Sequence, residues 1–100
     1  MPVPKSLGFL TVPAPGTPVV FSSLPLLVGK ARVHARSAPG VQNVGNVYIG
    51  SAGMNKTTGA GVYRVLGPED SEVLENTDLG QWWVDADTVG DGIVIGFIAP

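Results

Sequence analysis

Three carboxylates near the end of the chain, Asp85, Asp87 and Asp91, are its nearest approach to a metal-binding pattern. Acids at alternate positions with a glycine following match the opening of an EF-hand calcium loop, whose oxygen ligands must surround a hard cation. The match stops there. Val89 occupies the position of a third oxygen ligand, and Gly96 stands where the closing bidentate Glu belongs. The expected structure is a turn carrying solvated aspartates, with an ion held at a shared interface as the alternative. The stretch Gly53-Met54-Asn55-Lys56-Thr57-Thr58-Gly59-Ala60-Gly61 places a Lys-Thr pair among glycines, as a phosphate-binding loop does. In a phosphate loop the lysine directly follows the second glycine and a helix comes next; here Lys56 precedes the glycine by three positions, so a flexible loop between strands is expected.

The basic residues Lys30, Arg32 and Arg36, with His34 among them, form a row at alternate positions. Such a row could contact phosphates. However, the net charge is -2, and no aromatic residue interleaves with the row to offer a stacking platform. Nucleic acid is therefore not expected as a partner. The row is either a solvated face with salt bridges inside the fold or a polar contact with another protein. With one histidine and no cysteine, thiolate chemistry, disulfides and multi-histidine metal sites are excluded. No Gly-x-Ser-x-Gly elbow presents a nucleophile. The residue inventory points away from an enzyme and calls for no cofactor.

The elements that must position these residues are short. The 100 residues suit one domain, with a core that is real but thin. Hydrophobic residues make up 44% of the chain and charged residues only 14%, against roughly 25% charged in ordinary soluble domains, so part of the surface is expected to be covered by neighbours. No run reaches the ~18–20 consecutive apolar residues of a membrane span, and Pro2, Pro4 and Gly8 interrupt the first ten residues; neither a transmembrane helix nor a standard signal peptide is expected. All six basic residues precede position 65 and all eight acids follow position 68. The two groups can pair within one chain or head to tail between copies.

Fourteen glycines and nine prolines leave no room for a capped amphipathic helix. The pattern predicts about eight short strands: Leu7–Val12, Val19–Ser22, Leu26–Arg36, Asn46–Gly50, Gly61–Leu66, Glu72–Asn76, Gln81–Ala86 and Ile93–Ile98. Strands of this length between Gly/Pro/Asn/Asp turns are the signature of an all-β antiparallel sandwich or barrel. Gly29, Ala31, Val33 and Ala35 should face inward and the basic row outward. Trp82, Val84 and Ala86 should share one face, with Trp83, Asp85 and Asp87 on the other, so that one tryptophan joins the core and the other a rim or interface. Ile93–Ile98 is apolar on both faces, as a central or covered strand is. Residues 1–25 hold six of the prolines and a single charge, Lys5. They read as a stiff, extended arm before a domain spanning 26–100. The arm, around Pro13, Pro15 and Pro18, would lie along a neighbouring subunit or wrap its own domain.

Between Val28 and Ile98 the chain resembles a known group. The run Asn46-Val47-Tyr48-Ile49-Gly50, the loop Thr57-Thr58-Gly59-Ala60-Gly61, the turn Leu66-Gly67-Pro68-Glu69, the pairs Asp78-Leu79 and Val84-Asp85, and Gly90-Asp91-Gly92-Ile93-Val94 are similar to small structural proteins of tailed-bacteriophage virions. The chain departs from the pattern in carrying Gly67-Pro68-Glu69 where Pro-Gly-Glu is commoner. The resemblance implies a jelly-roll-like β-sandwich that decorates or cements the capsid exterior, often as a homotrimer, with the major capsid protein as partner. Expected contact residues are Pro13, Pro15, Pro18, Lys30, Arg32, Arg36, Asp85, Asp87 and Asp91, with Trp83 as an anchor. The alternative is a receptor- or glycan-binding module of a tail fibre or spike, in which Trp82 or Trp83 stacks on a sugar.

Overall fold

Prolines and glycines divide the chain into strands too short to pair alone, and the fold collects them into two sheets. The computed structural model describes residues 5–35 and 43–98. Its strands are β1 (Lys5–Thr11), β2 (Val19–Val20), β3 (Leu27–Ala35), β4 (Val47–Gly50), β5 (Val62–Leu66), β6 (Ser71–Asp78), β7 (Trp83–Ala86) and β8 (Gly92–Ile98), with a 3-10 turn at Leu79–Gln81. Each falls within a few residues of a strand expected from the sequence.

One sheet has the order β1-β8-β3-β6 and the other β2-β7-β4-β5, and every pairing between them is antiparallel. Only β4 and β5 are joined within a sheet; each other connection crosses to the opposite sheet. Eight strands wound in this order form a jelly-roll β-sandwich. Prolines 13, 15, 18 and 25 all lie between strands, where a residue without an N–H interrupts no ladder.

The two inner faces make one core. Ala31, Val33 and Ala35 of β3, with Ile93, Ile95 and Phe97 of β8 beside them in the same sheet, pack in one core with Val47, Ile49, Val84 and Ala86 of the second sheet. Burial of each aliphatic side chain contributes roughly 1.5–3 kcal/mol. From Ala31 onward the odd positions of β3 turn inward, with Lys30 and Arg32 exposed on the even ones; at the start of the strand the order reverses, Leu27 being exposed and Val28 in the core. β8 is central, flanked by β1 and β3; its inward Ile93, Ile95 and Phe97 are buried, while Val94 and Ile98 on its outer face are half-buried. Within the segment read as a Pro-rich arm, β1 is hydrogen-bonded to β8, β2 to β7, and Val12 and Phe21 lie in the core. These residues pack in the same sandwich as those after position 26.

Two devices close the sandwich. Arg64 shares its face of β5 with inward-pointing Ile49, and Glu72 its face of β6 with Val33. Both strands end their sheets on the same open side, and the two side chains bridge the gap at 2.7 Å. At the other end, Gly92 packs so closely on β1 that a Cβ there would collide with the Leu10 carbonyl.

Candidate functional site

Register decides what each sheet presents outward. On the β1-β8-β3-β6 sheet, Phe9, Val94, His34 and Ser71 form one transverse row, and Ser6, Gly96, Arg32 and Val73 the next. Lys30 lies between Ile98 and Glu75 in the third row. The face therefore combines apolar and cationic side chains. Phe9 is 62% exposed, and Val73, Val94 and Ile98 are half-buried. Gly96, lacking a side chain, leaves a hollow of about 240 Å³ lined by Lys5, Lys30, Arg32, Phe97 and Ile98. Lys30 meets Glu75 at a long 3.7 Å, with both side chains largely in solvent; such a pair contributes little to stability. Arg32 donates to the Ser71 hydroxyl at 3.2 Å.

On the β2-β7-β4-β5 sheet the protein's own loops cover the outer face at β7 and β4, while Val65 on the edge strand β5 stays 44% exposed. Asp85 shares this face with Tyr48, yet it is only 1% exposed. Its Oδ1 accepts a hydrogen bond from the Gly16 amide at 2.9 Å and from the Ala86 amide at 2.8 Å. The first of these bonds pins the Pro13–Pro18 turn to the sheet. The loop between β4 and β5 folds over the same face, burying Met54 to 5% exposure. Lys56 Nζ donates to the Ala86 carbonyl at 2.8 Å and meets Asp87 Oδ1 at 3.2 Å. The Tyr48 hydroxyl donates to both Asp87 oxygens, at 3.1 and 3.0 Å. Burial raises the Tyr48 phenol above its usual range, and the Asp87 hydrogen bond and charge push the same way.

The aspartates correct the expectation of a solvated acidic turn. Asp91 is 3% exposed and accepts from the amides of Val44 and Gly45, with its nearest contact at 2.8 Å. Beside it, the Asn43 carboxamide pairs with both backbone groups of Gly92. Asp91 therefore ties the strand that enters β4 to the start of β8. Of the three acids only Asp87 reaches the surface. Among the described residues no group of three or more His, Cys, Asp or Glu side chains is placed to hold a metal ion. Sequence reading missed this because loop amides 40 or more residues away supply the partners, and nothing local announces them.

The remaining expected contact residues are dispersed. Pro13 is exposed, Pro15 and Pro18 are half-buried in the covering turn, and Arg36 lies outside the described residues. Trp83 is half-buried beside Val20 and Gly50. Trp82 packs against the core from its edge, so neither indole is fully enclosed. Its Nε1 donates to Thr77 Oγ1 at 3.0 Å, and Tyr63 meets it edge to face with centroids 5.1 Å apart. A hollow of about 460 Å³ opens beside this pair, lined also by Gln81, Ser51 and Val62. Tyr63 and Gln81 were not singled out from the sequence. The irregular β4–β5 register at Gly50 is what displaces Tyr63 toward Trp82.

Comparison with protein-family models, curated proteins and solved structures returns no match to this chain. Among the described residues, no helix is long and apolar enough to cross a membrane.

Proposed function

We propose that this chain is a non-enzymatic structural subunit of a tailed-bacteriophage virion, a decoration or cement protein that binds the outside of the head. It acts by bridging capsomers and opposing their separation, and it assembles as a homotrimer. The observation that carries this reading is the unequal treatment of the two outer faces. Loops cover one sheet over β7 and β4, whereas the other, with no such cover among the described residues, presents Phe9, Val94 and Ile98 beside Lys30 and Arg32. Mixed apolar and cationic character, with Arg32 on the inner strand β3 and Phe9 on the edge strand β1, is the composition of a protein–protein contact. A stable contact buries about 600–1,000 Å² on each partner, which fits on one face of a chain exposing 5424 Å². The jelly-roll topology and the sequence resemblance agree with this role. Fold alone would not assign it.

Light-scattering mass and co-sedimentation with purified capsids test the proposal together. The expected result is a mass of three subunits and saturable sedimentation on capsids. Replacing Lys30 and Arg32 with Ala should weaken sedimentation and reduce its salt dependence. A protein that stays in the supernatant at every capsid concentration would refute the reading.

A further inference from the structure

The aromatic hollow lies apart from the face assigned to shell contact and has a different chemistry. Its lining residues are Gly50, Ser51, Gly61, Val62, Tyr63, Gln81 and Trp82, and none of them carries a charge. By contrast, the hollow beside Gly96 is edged by Lys5, Lys30 and Arg32, and the one beside Asp85 by Lys56. From this neutral, aromatic lining we infer that the Tyr63–Trp82 hollow is a binding site for a neutral saccharide.

The aromatic pair supplies the apolar half of such a site. Trp82 cannot swing freely, because its indole N–H is held by Thr77 and Phe21 packs against it with centroids 6.3 Å apart. Tyr63 stands nearly perpendicular to it, at 88°, and is 62% exposed. Two rings meeting at a right angle, with Trp82 the fixed one, form a corner rather than a flat patch. A pyranose has one face of C–H groups and a rim of hydroxyls, so it can rest that face on a ring while its rim stays polar. The rim would meet Gln81, whose exposed carboxamide makes no hydrogen bond among the described residues. It would also meet Ser51, whose hydroxyl has only a long 3.4 Å contact to the Gly61 carbonyl. A carboxamide both donates and accepts, as a sugar hydroxyl does. The volume of about 460 Å³ falls within the roughly 300–1,000 Å³ of small-molecule sites. The missing charge argues against anionic sugars and against peptides that would anchor through an ion pair.

Tryptophan emission tests the site. The chain has two tryptophans, so Trp83→Phe leaves Trp82 as the reporter inside the hollow. The probes are maltotriose, triacetylchitotriose, the anionic sialyllactose and an oligoproline peptide, each titrated into the full chain. The expected result is a saturable emission change with at least one neutral trisaccharide and none with sialyllactose. Tyr63→Ala and Gln81→Ala, both at exposed positions, should each weaken it about three- to tenfold. Saturation-transfer NMR on the unsubstituted protein gives the same readout should Trp83→Phe fail to fold. The inference is overturned if neither neutral trisaccharide produces a signal by either method, if both alanine variants bind as tightly as the parent, or if only the oligoproline binds.

Discussion

The two sheets of this sandwich bury their inner faces alike and differ in what happens outside. On the β2-β7-β4-β5 sheet, the Pro13–Pro18 turn and the β4–β5 loop fold back and fix themselves to the strands, through Gly16 on Asp85 and Lys56 on the Ala86 carbonyl. On the β1-β8-β3-β6 sheet the outer face carries Phe9, Arg32 and Lys30 into solvent. The difference separates two uses of polar groups. Buried acids on one side satisfy loop amides that would otherwise be unpaired, which costs about 1–3 kcal/mol per group. Charges on the other side are exposed and weakly paired, which contributes little to the isolated chain and leaves them available to a partner. Stability should therefore reside in the covered half and association in the uncovered half.

The largest test of that division is Asp85→Ala. It removes the acceptor of the Gly16 amide and leaves the covering turn without its anchor. A loss of about 2–3 kcal/mol is expected, seen as a fall in Tm of roughly 8–24 °C for a domain of this size. A loss below about 0.5 kcal/mol would mean that the turn is held by something other than Asp85. Lys56→Met keeps the aliphatic stem but deletes the bond to the Ala86 carbonyl and the pair with Asp87. The expected cost is about 1 kcal/mol, since the lysine side chain is only 20% exposed but Asp87 is more open to solvent. Chemical denaturation with an unchanged m-value would locate either effect in the native state.

Much of this fold could be read from residue patterns, and the reasons are physical. Period-two alternation identified β3, because its inward residues pack on the core and its outward ones meet water, so side-chain polarity records the face directly. Apolar residues on both faces left β8 as either a central or a covered strand, and the sheet order makes it central. Side-chain polarity failed at Asp85 and Asp91, where it predicts solvent and the structure provides buried amides. Alternation correctly set Asp85 on the outer face of β7, but a strand pattern carries no information about which loop will return to cover that face. The aromatic hollow was half legible. Trp82 was expected on the face of Val84 and Ala86, with one tryptophan in the core and the other at a rim, while Tyr63 reaches it only through a register irregularity, and no local residue signals that. Charge segregation was legible as a choice between pairing within the chain and between copies. Lys30–Glu75, Lys56–Asp87 and Arg64–Glu72 pair within it.

Two smaller effects sharpen the account of the covered half and its edge. Tyr48 donates to Asp87 beneath the covering loop, and burial with the neighbouring acid raises its phenol. A tyrosine whose folded pKa exceeds the unfolded value of about 10 stabilises the fold fully below that value and loses its contribution as pH rises through the folded pKa. Ultraviolet titration should show one of the two tyrosines ionising late, and Tyr48→Phe should abolish that step and flatten the alkaline fall in stability. At the turn into β6, the Asp70 amide closes on the Gly67 carbonyl at 3.0 Å, and Glu69 is forced to a φ of 75°. This is the position where a type II turn calls for glycine. Glu69→Gly should relieve that strain and raise stability by about 0.5–1 kcal/mol, net of the extra freedom glycine brings to the unfolded chain; a decrease would show that the Glu69 side chain matters more than its backbone.

The smallest effect on stability should come from the face that matters most for association. Phe9→Ser combined with Arg32→Ala changes two outward residues of the β1-β8-β3-β6 sheet. The first is 62% exposed in the isolated chain, and the second loses only a 3.2 Å bond to Ser71. Surface substitutions of this kind stay within about 0.5 kcal/mol each, so the melting curve should hardly move. Capsid sedimentation should fall by an order of magnitude or more, because aromatic residues and arginines are the residues on which contact energy concentrates. The two readouts must separate for the comparison to stand. If the double variant unfolds with a loss above about 2 kcal/mol, this sheet face is a stabilising surface of the subunit and the division between covered and uncovered halves is wrong. If it stays folded and still sediments with capsids as the parent does, contact is made elsewhere on the subunit, and the row at Lys30 and Arg32 is a solvated face.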